Sequence, residues 1–292
     1  MSNKISWSAL IIALIALAVV IAHPAGQGTT SVVKQETAFE RVLRTNTLRC
    51  GYGIWAPGLI KDAQTGKLSG IFYDYLEAIG KHTGLKIEWT GEVGWGDFPE
   101  ALNSGRIDAM CFGAWPKAMT AREVMFTEPV YYLPINAYVR VDDRRFDHAP
   151  EKINSPDVTI STMDSEISSQ LAASNFSQAK TFSIPQLSDA SNLLLNVATG
   201  KADVTFTDTW TAVAFMKQNP DKLKLVQLDR PLRLFGHTIP VARGETTLLN
   251  FLNTATDEIF DSGELDAIIR KYEDMPDVLL HRPRPYDHSE KQ

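Results

Sequence analysis

Gly105-Arg-Ile-Asp-Ala-Met-Cys-Phe-Gly113 and Gly200-Lys-Ala-Asp-Val-Thr-Phe-Thr-Asp208 follow one template. In each, a helical pattern stops at a glycine, a basic residue follows, an aspartate stands three places after the glycine, and an apolar run reads as a buried strand. Working outward, the patterns predict helices over 71–82 and 98–104 between strands at 47–51, 85–89 and 107–112. Past the middle of the chain the same rhythm returns. Strands are expected at 157–162, 180–184, 202–207 and 223–228, and helices at 166–176, 188–199 and 209–218. Strand–helix–strand alternation of this kind argues for α/β lobes with mainly parallel sheets. Two copies of the rhythm argue for two lobes of one design, with Gly113 and Asp208 at equivalent strand tips. In open α/β sheets a ligand sits beyond the carboxyl ends of the strands, so these two positions should face each other over an inter-lobe cleft.

The remaining organisation follows from this core. The 292 residues suffice for two medium lobes. Residues 47–139 and 232–275 are assigned to lobe 1 and 140–231 to lobe 2. The chain is expected to cross first at 138–140 and again near 230–240, so two strands form a hinge. Helices at 246–260 and 264–272 should return to lobe 1, and residues 276–292 read as a polar surface tail. At the other end, Lys4 precedes an almost wholly apolar run, Ile5 to Ala22, which His23-Pro24 breaks. That is the pattern of a secretory signal peptide over 1–25, with an uncleaved anchor as the alternative. A polar linker and a helix over 37–44 fill 26–46. Either reading places the body outside the cytoplasm, in the periplasm.

Composition excludes several function classes. Net charge is −6 with no Lys/Arg cluster, which argues against nucleic acid. No GxSxG, HExxH or phosphate-loop pattern occurs. His237, near the second crossing, has no evident serine or cysteine partner, so catalysis in the cleft is not supported. No cofactor or metal is implied. The two cysteines, Cys50 and Cys111, form an even pair in an oxidising compartment; they read either as a disulfide or as two small buried side chains.

Leu48-Arg-Cys-Gly51, Gly66-Lys-Leu-Ser-Gly70, Ala101-Leu-Asn-Ser-Gly-Arg-Ile-Asp-Ala109, Phe126-Thr-Glu-Pro129 with Tyr131-Tyr132, and Gly263-Glu-Leu-Asp-Ala-Ile-Ile-Arg-Lys-Tyr272 together resemble family 3 of the bacterial solute-binding proteins. The resemblance implies the type II two-lobed periplasmic-binding-protein fold, closure on a small-molecule ligand, and delivery to an ABC importer permease by a monomer. A membrane-anchored ligand sensor domain is the first alternative and a cleft enzyme on the same fold the second. The resemblance also implies site residues. Trp55 takes the place of the aromatic that covers the ligand, Trp95 that of a second wall, and Asp208 that of the amine-binding aspartate. Phe112, Gly113 and Trp115 end the lobe-1 strand at the same wall. Where the family offers small hydroxyls, this chain has Asp164-Ser165-Glu166. The family's carboxylate-binding arginine falls on Thr120 without a gap, while Arg122 stands two residues later. Thr120-Ala-Arg-Glu123 also reads as a capping box. The resemblance would bring Cys50 and Cys111 onto neighbouring strands, within reach of a bridge.

Four tryptophans, Trp55, Trp95, Trp115 and Trp210, fall at or just after strand ends; Trp210 also fits a core role. Aromatic faces attract cations, and Asp164, Glu166 and Asp208 add negative charge. The combination of a missing arginine, tryptophans and carboxylates predicts a cationic or amine-bearing ligand. An ordinary amino acid held by Arg122 is the competing expectation.

Overall fold

The computed structural model describes residues 36–273 and 278–283. The expected signal peptide, most of the linker, and the tail beyond 283 lie outside the described residues. In chain order the elements are α1 (Ala38–Thr45), β1 (Thr47–Tyr52), β2 (Ile60–Lys61), β3 (Leu68–Ser69), α2 (Ile71–Thr83), β4 (Lys86–Glu92), α3 (Phe98–Asn103), β5 (Ala109–Met110), β6 (Val124–Phe126) and β7 (Tyr131–Arg140). Then follow β8 (Thr159–Met163), α4 (Ile167–Asn175), β9 (Lys180–Ile184), α5 (Ser191–Ala198), β10 (Val204–Asp208), α6 (Thr209–Gln218), β11 (Leu223–Leu225), β12 (Arg233–His237), β13 (Pro240–Ala242), α7 (Thr246–Asp261) and α8 (Glu264–Tyr272).

Two sheets result. The first runs β4-β1-β5-β13-β6 and the second β11-β7-β10-β8-β9, with β12 also paired to β7. The α/β class and the two lobes stand, but each sheet is mixed rather than mainly parallel. β1 pairs parallel with β4 and β5, and β8 parallel with β9 and β10. The strands that carry the chain between lobes come back the other way. β7 is antiparallel to β10, β11 and β12, and β13 is antiparallel to β5 and β6.

The repeated template is a shared piece of engineering. Gly105 (φ 70°) and Gly200 (φ 77°) both adopt the left-handed conformation that ends a helix. The next two amides in each copy donate to one helix carbonyl, Ala101 O at 3.0 and 3.2 Å and Asn196 O at 2.9 and 3.2 Å. Each aspartate then straps its strand to the parallel neighbour. Asp108 donates its amide to Arg49 O and accepts from Arg49 N at 2.7 Å; Asp203 does the same with Thr159, accepting at 2.9 Å. Guanidinium groups complete both: Arg41 and Arg49 on Asp108, Arg140 and Arg145 on Asp203.

Lobe one packs α2, α7 and α8 against its sheet through a core that includes Phe72, Tyr75, Leu76, Ile79, Leu252 and Ile269. Lobe two has cores on both faces of its sheet, one around Ile160, Leu171 and Phe206, the other around Tyr138, Leu194 and Phe215. The first crossing lies earlier than expected. Tyr131 and Leu133 belong to the core of lobe one and Ile135 to that of lobe two, so the passage falls within 133–135 rather than at 138–140. β7 is one unbroken strand, and Pro134 stands where it changes lobe. Of the expected surface tail over 276–292, only 278–283 are described, and that part does not lie wholly on the surface. Val278 and Leu279 are buried, and Leu280 pairs with Tyr132 through two backbone hydrogen bonds of 2.8 and 2.9 Å.

Candidate functional site

The walls of the cleft are built by helix N-termini on one side and strand-end loops on the other. From lobe two, Asp208 ends β10 and caps α6: its carboxylate accepts from Thr211 N and Thr211 Oγ1, both at 2.8 Å. Glu166 caps α4 in the same way, accepting from Ser168 N at 2.8 Å and from Ser168 Oγ. Both are buried, at 2 % and 8 % exposure. Among the described residues neither forms an ion pair. Burial raises the carboxyl pKa of Asp208 against its hydrogen bonds, and pushes that of Glu166 up to about 7.

Lobe one supplies tryptophans. Trp55 lies in the loop after β1 and reaches across the cleft, its indole N–H donating to Thr211 Oγ1 at 3.2 Å. Since Thr211 Oγ1 donates onward to Asp208, a chain of hydrogen bonds joins the lobes. Trp95 packs on Phe112 with centroids 4.3 Å apart and lies parallel to Trp115 at 6.3 Å.

His237, at the end of β12, forms the floor. It is 1 % exposed, stacked on Tyr131 at 4.7 Å and on Trp55 at 5.3 Å. Trp115 Nε1 donates to its Nε2 at 2.8 Å, and Gly113 O lies 2.9 Å from its Nδ1. Indole N–H is donor-only, so Nε2 must be the acceptor and the proton sits on Nδ1, donated to the carbonyl. Burial drives the imidazole pKa down to about 3, against that one favourable bond, so the ring is neutral. With both nitrogens engaged it is not available as a base.

Trp55, Trp95, Trp115, Glu166 and Asp208 are thus brought together, with Met163 and His237, around one enclosed space of about 20 Å³. That holds little more than a single water molecule, so a guest of amino-acid size requires the walls to part. Phe112 and Gly113 stand behind the wall, against Trp95 and His237. The other expected residues lie elsewhere. Asp164 is exposed and accepts from Ser183 Oγ; Ser165 and Thr120 line a groove of about 890 Å³ beside the cleft. Trp210 lines a second groove, of about 700 Å³, on the other flank. The expected capping box at Thr120 is absent: 120–122 is a single 3-10 turn with no side-chain cap, too short to need one. Arg122 is exposed and borders neither the enclosed space nor the groove.

Sequence reasoning missed Lys117, whose charge acts on Glu166. Its Nζ crosses to Ser165 O at 3.2 Å, and burial lowers its pKa although Glu166 opposes this. Gln186 and Thr211 were also missed, because only long-range folding brings them to the cleft. A disulfide joins Cys50 to Cys111 inside lobe one, Cα atoms 5.4 Å apart. Among the described residues no group of three or more His, Cys, Asp or Glu side chains is placed to hold a metal ion, and no helix is long and apolar enough to cross a membrane.

Comparison with known proteins supplies context for this geometry. The family profile described as bacterial extracellular solute-binding proteins, family 3, matches residues 48–275. A probable histidine-binding protein of Campylobacter jejuni is 27% identical over 215 residues, 72% of this chain and 78% of the relative. The crystal structure of an ancestral amino acid-binding protein, a precursor of cyclohexadienyl dehydratase, superposes with a TM-score of 0.70 at 22% identity, covering 81% of this chain and 99% of that one. The substrate-binding protein of an amino acid ABC transporter gives 0.67 at 22% identity, covering 78% and 100%.

Proposed function

The chain belongs to the bacterial extracellular solute-binding proteins, family 3, and from that premise we propose that it captures a small amine-bearing solute between its lobes and hands it to the permease of an ABC importer. The reading is of a monomeric periplasmic receptor that binds without chemistry. The observation that carries the ligand class is the lobe-two wall. Asp208 and Glu166 are buried there without an ion-pair partner, opposite Trp55, Trp95 and Trp115. A buried carboxylate lacking a cation is costly, and a guest ammonium supplies the missing charge while the indole faces attract it. Closure then removes water and strengthens both interactions.

Lys117 favours a second reading within the same class. A zwitterionic amino acid would set its amine on Asp208 and its carboxylate on the buried Lys117 ammonium, beside Glu166. The histidine-binding relative fits this arrangement. Calorimetry with L-histidine, L-arginine, putrescine and tetramethylammonium tests both. An amine must be required for binding. Under the second reading Lys117→Ala weakens the amino acids and spares the simple amines. Binding confined to solutes without an amine or ammonium group sinks the proposal.

A further inference from the structure

Lobe one meets lobe two again at the edge of the aromatic cavity, and one amide makes two of the bonds there. Gln186, in the loop after β9, accepts from Gly96 N at 2.9 Å through Oε1 and donates through Nε2 to Asp97 Oδ2 at 3.0 Å. The amide therefore meets a backbone donor and a carboxylate acceptor with the matching end each time. Lobe one offers it a Gly94-Trp95-Gly96 loop, whose glycines leave room for the approach. A Cβ on Gly94 would come within 2.6 Å of the Gln186 amide, and one on Gly96 within 2.7 Å of Ser165 Oγ. Ser165 O also receives Lys117 Nζ. None of these bonds exists once the lobes part.

We infer that Gln186 and the Gly94–Gly96 loop form a clasp that holds the lobes shut whether or not a solute is between them, so that it sets how fast solute exchanges rather than how tightly it binds. The thermodynamics require this division. A contact present equally in the empty and the filled closed forms stabilises both alike, and an interaction common to two states shifts neither against the other. Opening, however, must break the clasp on the way in and on the way out. A residue that touches the solute behaves differently, changing dissociation far more than association.

The test uses the full chain with Gln186→Ala, which removes both bonds, and Gly94→Ala, which displaces the amide from the lobe-one side. Small-angle X-ray scattering without solute is expected to give a closed profile for the unaltered protein and a larger radius of gyration for both variants. Stopped-flow tryptophan fluorescence with L-histidine is expected to show association and dissociation both up to about tenfold faster, the scale two exposed hydrogen bonds support, with Kd weakened only as far as the empty variant has opened. Gln186→Glu should open the lobes by setting two carboxylates together, and adding Asp97→Asn should close them again by restoring a donor. An open profile for the unaltered protein, or identical profiles throughout, overturns the clasp; so does a loss of affinity with association unchanged. The rate measurement rests on the amine-solute reading. If L-histidine fails to bind any variant, that reading is damaged, while scattering still decides the clasp.

Discussion

The indole N–H of Trp115 donates to Nε2 of His237 over 2.8 Å, and together with the Gly113 carbonyl at Nδ1 this bond decides which nitrogen of the buried ring carries the proton. Trp115→Phe keeps the stacking on Phe235 but leaves Nε2 without its donor. An unmade bond at a buried acceptor costs about 1–3 kcal/mol. Denaturant unfolding of the variant should show a loss in that range, and an unchanged midpoint would mean that another donor takes over.

Stability against pH should hide two opposing slopes. Glu166 is held near 7 against an ordinary 4.5, so folding takes up a proton; its contribution is complete below 4.5 and lost as pH rises through 7. Asp208, also raised, has the same sign. His237 is held near 3 against 6.5, so folding releases a proton; its contribution is complete above 6.5 and lost as pH falls toward 3. Between 4.5 and 6.5 the effects offset each other. Glu166→Gln should make the protein lose stability more steeply on acidification in that window, and His237→Gln should make it lose stability more steeply as pH rises. Parallel thermal-melt profiles for both variants and the parent would contradict the assignment.

Asp208→Asn separates ligand binding from folding. The amide oxygen still accepts from Thr211 N, and a carboxyl disfavoured by burial is gone, so the melting temperature should hold or rise. A charge-assisted bond to a bound amine would be lost, weakening binding about 10- to 100-fold. Calorimetry with the amine that binds the parent checks this.

The two strand straps should act independently. Asp108→Ala and Asp203→Ala each leave an amide and guanidinium groups unpaired; part-exposed arginines soften the cost, which we place at about 2–4 kcal/mol. Lying in separate lobes, the two losses should add. A double-mutant cycle by urea unfolding with a large coupling term would show that the lobes do not respond separately.

Reduction of the Cys50–Cys111 bridge, or Cys50→Ser with Cys111→Ser, opens a loop spanning a sequence separation of 61. Loop-entropy arguments assign this about 4 kcal/mol. Melting with and without reductant measures it, and the loss should be confined to lobe one.

Much of the fold is legible because its stop signals are local. β9, α6 and α8 begin and end where their sequence patterns say, being bounded by glycines, caps and composition breaks within a few residues. β5 is shorter than its apolar run suggests, since only Ala109 and Met110 find ladder partners. The site divides in the same way. Trp55, Trp95, Trp115, Glu166 and Asp208 announce themselves at strand ends and helix starts. Gln186, Thr211 and Lys117 carry no local mark; their roles arise from which lobe faces them. The capping box expected at Thr120 depends on a helix that the loop does not form.

The central strand arrangement of the first sheet carries one more consequence. β13 sits between β5 and β6, yet it is made only after every residue of lobe two. A chain emerging from its first residue onward can therefore complete its second-made half first, while the earlier half waits with a gap between β5 and β6. A nascent fragment ending before residue 240 should hold a native lobe two and an unfinished partner.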